Sequence, residues 1–128
     1  MSKIFREFTT KSEKLILAGK NVDSNEALVK QAGQNEFVLH TKERGSPFVN
    51  IKAPKNEIVK EDIKEASIIC AKYSHDWRDN KKDIIVHIFL GNDIYKEKGM
   101  KTGTFGVKKL KEIKVRKEDI EKFEKEKS

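Results

Sequence analysis

The sequence predicts an α+β domain: one mixed or antiparallel sheet of about six strands with two or three helices packed on it, in the order ββαββαββα. Three observations carry this. Strand-like apolar runs come in pairs, and helical patterns separate the pairs. One run, Asp83–Leu90 (DIIVHIFL), is apolar on both faces, as a central strand covered on both sides is. The length of 128 residues suits one domain. No repeat, Pro-rich linker or Gly/Ser spacer divides it, so residues 1–128 read as one unit closing in a charged helix or tail at about 117–128.

Ile4–Thr9 and Leu15–Ala18 are apolar runs around a polar Thr10–Lys14, which predicts a hairpin. After the turn cluster Gly19-Lys20-Asn21 a helix is expected, with Asp23 and Glu26 as a capping box and Gly33 as its stop. Glu36–Thr41 and Phe48–Lys52 are the next two strands, joined by the polar Lys42–Pro47. Ile63, Ala66, Cys70, Tyr73 and Trp77 recur at spacings of three and four, which predicts a helix over about Lys60–Tyr73 with one apolar stripe. Gly91-Asn92-Asp93 ends the central strand, and Gly99, Gly103 and Gly106 punctuate a basic loop or hairpin. Leu110–Arg116 reads as a half-buried strand with Ile113 and Val115 inward. Ile120 and Phe123 give the terminal segment an apolar pair with which to dock, and its last residues are expected to fray.

The charge is high and unevenly placed. Charged residues make up 38% of the chain against a usual ~25%, and the net charge is +7. Lys96–Lys117 holds nine basic and two acidic residues, so this one span carries the whole excess and the rest of the chain is neutral. A basic stripe on a neutral body points to a polyanionic partner; a lysine-rich surface that serves solubility is the plainer alternative. No apolar run approaches the ~20 residues of a membrane span, the N-terminus has no secretory pattern, and a single Cys forms no internal disulfide. A cytoplasmic protein with no membrane association is expected.

Catalytic constellations are sparse. His40 and His87 lie in strand patterns beside apolar residues and read as packed histidines. Cys70 lies on the helical stripe and reads as a buried, inert thiol. His75 stands at no zinc spacing from it, and no metal or cofactor is expected. Gly99–Gly103 lacks the order of a phosphate loop. Its glycines still let backbone approach an anion amid Lys96, Lys98 and Lys101, against the alternative of an ordinary charged hairpin loop. Asn21 and Asn25 at a helix start, with Lys20, read as capping first and an anion site second. Arg44 and Ser46 have the chemistry to grip a phosphate or simply to form a turn. Tyr73, Trp77 and the Phe residues read as core before they read as base-stacking platforms.

Several of these pieces fall in a familiar order. Gly19-Lys20-Asn21-Val22-Asp23-Ser24-Asn25-Glu26 resembles the G-K-x-x-x-x-N-E signature that follows the opening hairpin of the NFACT-R domain family. The strand ending in His40 and the Gly45-Ser46 turn resemble the family's next block, and the helix running to Ser74 and Trp77 resembles its Ala-rich helix. Lys96, Lys98, Gly99 and Gly103 match its K-x-K-G-x-x-x-G element. The resemblance runs from about Ile4 to Val115. It implies a stand-alone RNA-binding module, non-catalytic, related to proteins of ribosome-associated quality control that engage tRNA. The expected partners are therefore RNA (tRNA or rRNA) and a ribosomal or RNA-processing protein.

Together the two lines place RNA contacts on Lys96, Lys98, Lys101, Lys108, Lys109 and Lys111. Lys20, Asn21, Asn25, His40, Arg44 and Ser46 are expected to add to them, with Lys20, His40, Arg44 and Ser46 gathered at one sheet edge. A module that docks on an acidic protein is the second reading. An RNA-modifying enzyme using His40 with Ser46 or Ser74 is the third.

Overall fold

The computed structural model describes residues 4–127; residues 1–3 and 128 of the expected span, and with them the last residue of the end expected to fray, lie outside the described residues. The opening hairpin is β1 (Arg6–Thr9) and β2 (Leu15–Ala18), followed by α1 (Val22–Gln31), β3 (Phe37–Thr41) and β4 (Val49–Ile51). Then come α2 (Lys60–Lys72), α3 (His75–Asn80) and the long strand β5 (Ile84–Leu90). A small hairpin of β6 (Ile94–Tyr95) and β7 (Gly106–Val107) precedes β8 (Lys111–Val115) and α4 (Lys117–Lys127). Six strands form one sheet in the order β1-β2-β4-β3-β5-β8, and every pairing in it is antiparallel.

The sheet divides the molecule into two faces. Strand alternation sends Ile16, Ala18, Leu39, Val49, Ile51, Ile84, Val86, Ile88 and Val115 to one side. There they pack on Ala66, Ile69, Cys70 and Ala71 of α2, Trp77 of α3 and Ile120 of α4. Leu17, Val38, Phe48 and Phe89 go to the other side, against Leu28 and Val29 of α1 and the partly buried Ile94, Phe105 and Val107 of the small hairpin. β5 serves both faces, which is why its sequence is apolar on both sides apart from His87.

Two local expectations change and a third becomes more specific. First, α1 is capped by Asn21, not Asp23. Asn21 Oδ1 accepts the Ser24 N–H at 2.8 Å, and Ser24 Oγ accepts the Asn21 N–H at 2.9 Å, so the box closes two residues early and Glu26 is released for another task. Second, the apolar stripe ending in Trp77 spans two helices. Ser74 Oγ donates to the Ala71 carbonyl and accepts the Trp77 N–H, which ends α2 and starts α3, while Trp77 stays buried in line with the stripe. Third, the basic glycine-rich segment is the loop of a separate two-stranded hairpin lying over the α1 face, with Ile94 opposite Val107 and Tyr95 opposite Gly106.

Candidate nucleic-acid interface

Between the ends of β3 and β5 and the 96–105 loop lies a cavity of about 670 Å³. Its floor is His40 and His87, which face each other across the β3–β5 pairing, with Phe48 and Phe89 beside them. Met100, Lys101, Thr104 and Phe105 form one wall, and Lys42 and Arg44 stand on the other. None of the lining residues is acidic.

The loop over the cavity is fixed from α1. Glu26 Oε1 accepts the Gly103 N–H at 2.6 Å and pairs with Lys96 Nζ at 3.2 Å. The Gly103 N–H, followed by the Lys96 contacts, holds the Glu26 carboxyl below its usual pKa against the opposing effect of burial. Lys96 Nζ also donates to the carbonyls of Lys101 (2.5 Å) and Thr104 (2.8 Å) and sits 4.4 Å from the centre of the Phe105 ring. Gly103 has φ +79 and lies against Val22, so the loop turns where only a residue tolerant of the left-handed region is comfortable.

His40 favours its neutral form. Burial lowers its pKa, the Thr41 carbonyl acts in the opposite sense, and the neighbouring His87 lowers it further. Nδ1 lies 2.7 Å from the Thr41 carbonyl, which can only accept, so Nδ1 carries the proton and Nε2 is an acceptor. His87 Nε2 meets Glu112 Oε2 at 3.1 Å, and Lys42 Nζ lies 3.9 Å from the same carboxylate.

Of the residues singled out from the sequence, His40, Arg44 and Lys101 come together in the cavity lining, and Lys98, Lys108 and Lys109 are exposed in segments that border it. Arg44, Lys98, Lys101, Lys108 and Lys109 make no ion pair among the described residues.

The others lie outside the lining or have partners within the fold. Lys96 is spent inside its own loop. Ser46 is buried, its Oγ accepting the Thr41 N–H at 3.0 Å and donating to the Pro47 carbonyl, so it faces no ligand. Asn21 is the cap of α1, and Asn25 Oδ1 accepts the Phe48 N–H at 3.0 Å, tying α1 to the start of β4. Lys20 does not line the cavity, although α1 begins beside it where Val22 meets Gly103. Lys111 pairs with Ile88 and so belongs to the opposite face from His87 and Glu112. There is also no shared sheet edge: β3 lies between β4 and β5, and β2 between β1 and β4.

Sequence reasoning missed Lys42, His87, Phe89, Met100, Phe105 and Leu110 as lining residues. The apolar Phe105 and Leu110 on either side of Lys108-Lys109 were the available signal. The His40–His87 juxtaposition depends on strand register and had none.

The G-K-x-x-x-x-N-E signature acquires a physical meaning here. A side chain on Gly19 would collide with Asn25, Asn25 holds Phe48, and Glu26 holds the loop. The turn before β4 is fixed as well. Gly45 has φ +84, its carbonyl accepts the His75 N–H at 2.7 Å, and its missing Cβ makes room for the His75 ring.

An antiparallel sheet with three helices on one face, and with α1 beside a cationic, partly apolar groove on the other, defines a small α+β binding module. The chain belongs to the family described as the NFACT protein RNA-binding domain, whose model matches residues 4–109, and its role is nucleic-acid binding. Among solved structures it is similar to the C-terminal part of the fibronectin/fibrinogen-binding protein from Streptococcus suis, with a TM-score of 0.81 at 21% identity. That match covers 96% of this chain and 49% of the other, so the chain spans about half of that solved chain, and the likeness shows the fold. No curated protein matches the chain. No helix among the described residues is long and apolar enough to cross a membrane.

Proposed function

We propose that this module binds structured RNA, tRNA or ribosomal RNA, by gripping the phosphate backbone at the groove. It acts without catalysis, in the cytoplasm, in a translation-linked or RNA-processing setting. The observation that carries the reading is the groove's charge: Lys42, Arg44 and Lys101 in its lining, Lys98, Lys108 and Lys109 beside it, and no acid among the lining residues. Phosphate contacts from such side chains set affinity and orientation and leave sequence largely unread. A non-catalytic role is supported by Ser46 and Ser74, whose hydroxyls both donate to backbone carbonyls rather than to His40.

The test is fluorescence anisotropy with labelled tRNA, duplex RNA, single-stranded RNA and duplex DNA at two salt concentrations. With about five phosphate contacts, log affinity falls against log salt with a slope of about −4. Reversing Lys98, Lys101, Lys108 and Lys109 to Glu abolishes binding and leaves the melting temperature unchanged, because none of the four makes an ion pair among the described residues. Unchanged affinity in that variant refutes the surface. Equal, weak binding to all four ligands instead points to an acidic protein as the partner.

A further inference from the structure

A phosphate grip needs only a cationic surface, and this groove offers more. Its volume of about 670 Å³ lies within the ~300–1,000 Å³ typical of small-ligand sites. Its lining includes apolar side chains that the fold covers only in part: Leu110 is 43% exposed, and Met100 and Phe105 are half-buried. Phe105 is also held in place. Its ring packs against the Phe48 ring at 5.8 Å in a T-shaped contact, and Lys96 sits over it, itself locked by Glu26 and two carbonyls.

We propose that the groove is a slot for one unpaired nucleotide of the bound RNA. The base lies against Phe105, Met100 and Leu110, and the adjoining phosphate meets Arg44 and Lys101. This rests on the RNA-binding reading above and adds what part of the RNA is chosen. Bases within an A-form duplex stay stacked and present no face to a protein, so only a nucleotide already unstacked, in a loop, bulge or end, can enter. Stacking on an aromatic or apolar wall accepts any base, since each has a π face. The slot therefore reads the unpaired state rather than the base identity. His40 Nε2, fixed as an acceptor by the Thr41 carbonyl, offers one hydrogen-bond site to a donor on the nucleotide.

The experiment uses an RNA hairpin carrying a fluorescent adenine analogue in its loop, and a blunt duplex of the same stem. On saturation with the wild-type protein, the emission of the loop analogue shifts. Phe105→Leu, which keeps apolar bulk and removes the ring, weakens hairpin binding about tenfold, the scale of one lost stacking contact, and leaves the blunt duplex unchanged. Phe105 also touches Phe48, so the double variant Met100→Ser/Leu110→Ser, at exposed or half-buried positions, repeats the test with little risk to folding and predicts the same selective loss. Binding of the hairpin with no emission shift overturns the slot and leaves the RNA reading standing. So does an equal effect of the variants on hairpin and duplex. Failure of the wild-type protein to bind either RNA overturns both.

Discussion

The two faces of the sheet solve different problems with the same strands. On the helical face the inward residues of five strands meet α2, α3 and α4, and the larger of the two apolar clusters is sealed from water. Even the less apolar groups buried on α2 are inert or paired. Cys70 is fully buried, which pushes its thiol up to about 12. Asp62, also buried, accepts from Ser12 Oγ at 2.6 Å and from the Val59 N–H. Burial alone would raise its pKa, but these bonds outweigh it and keep the carboxylate ionised. On the other face α1 and the small hairpin cover only part of the sheet, and the uncovered part is the groove. Stability is concentrated where the cover is complete, and binding is possible where it is not.

The sharpest way to separate the faces is to damage the sealed one. Ile120 of α4 is fully buried, so Ile120→Ala should cost about 2–5 kcal/mol of stability in urea unfolding. The protein that remains folded should bind RNA as before; a parallel loss of affinity would mean that the helical face shapes the groove. A smaller effect is expected from Glu26→Gln, on the order of 1 kcal/mol, since a partly exposed carboxylate loses much of its charge-assisted bond strength to solvent. Here hydrogen exchange is the better reading: the Gly103 amide should lose protection while amides of β5 keep theirs.

The mildest effect is with pH. The folded His40 has a lowered pKa, so its contribution to stability is present above the usual histidine value of about 6.5 and is lost as pH falls below it. The lowered carboxyls of Asp62 and Glu26 lose theirs only as pH falls below about 4. Thermal melts should therefore show a first, shallow decline that His40→Gln removes and a second, steeper one that it does not. A single decline near pH 4 in the wild type would show that His40 is no more buried in solution than a surface histidine.

Much of the helical face was legible in the sequence. β5 announces itself by being apolar on both sides, and α4 docks by the Ile120 and Phe123 pair seen in its spacing. Local pattern carries such information because each element must bury its own stripe. The end of α2 near Tyr73 was legible and Trp77 lay on the predicted stripe, but the second helix that starts at Ser74 did not show, because a serine there caps a helix only when its hydroxyl finds the Trp77 N–H. The groove was legible as a charge excess and little more. Lys96 looks like Lys98 and Lys101 in the sequence, yet three acceptors and a ring draw it inward. Glu26 looked like a cap and became the anchor of a loop seventy-seven residues away. Such assignments depend on long-range contacts that no local period encodes.

The turn at Gly45 joins the two faces, and its consequence concerns which sequences this architecture tolerates. Glycine is favoured there twice over, once by the positive φ and once by the His75 ring occupying the space of a side chain. The first constraint belongs to the turn that presents Arg44 to the groove; the second belongs to α3 behind the sheet. A substitution elsewhere can relieve the ring but not the dihedral, so no single compensating change restores freedom at this position. The demands of the binding loop and of the helical layer thus meet at one residue, which relief of either alone does not free.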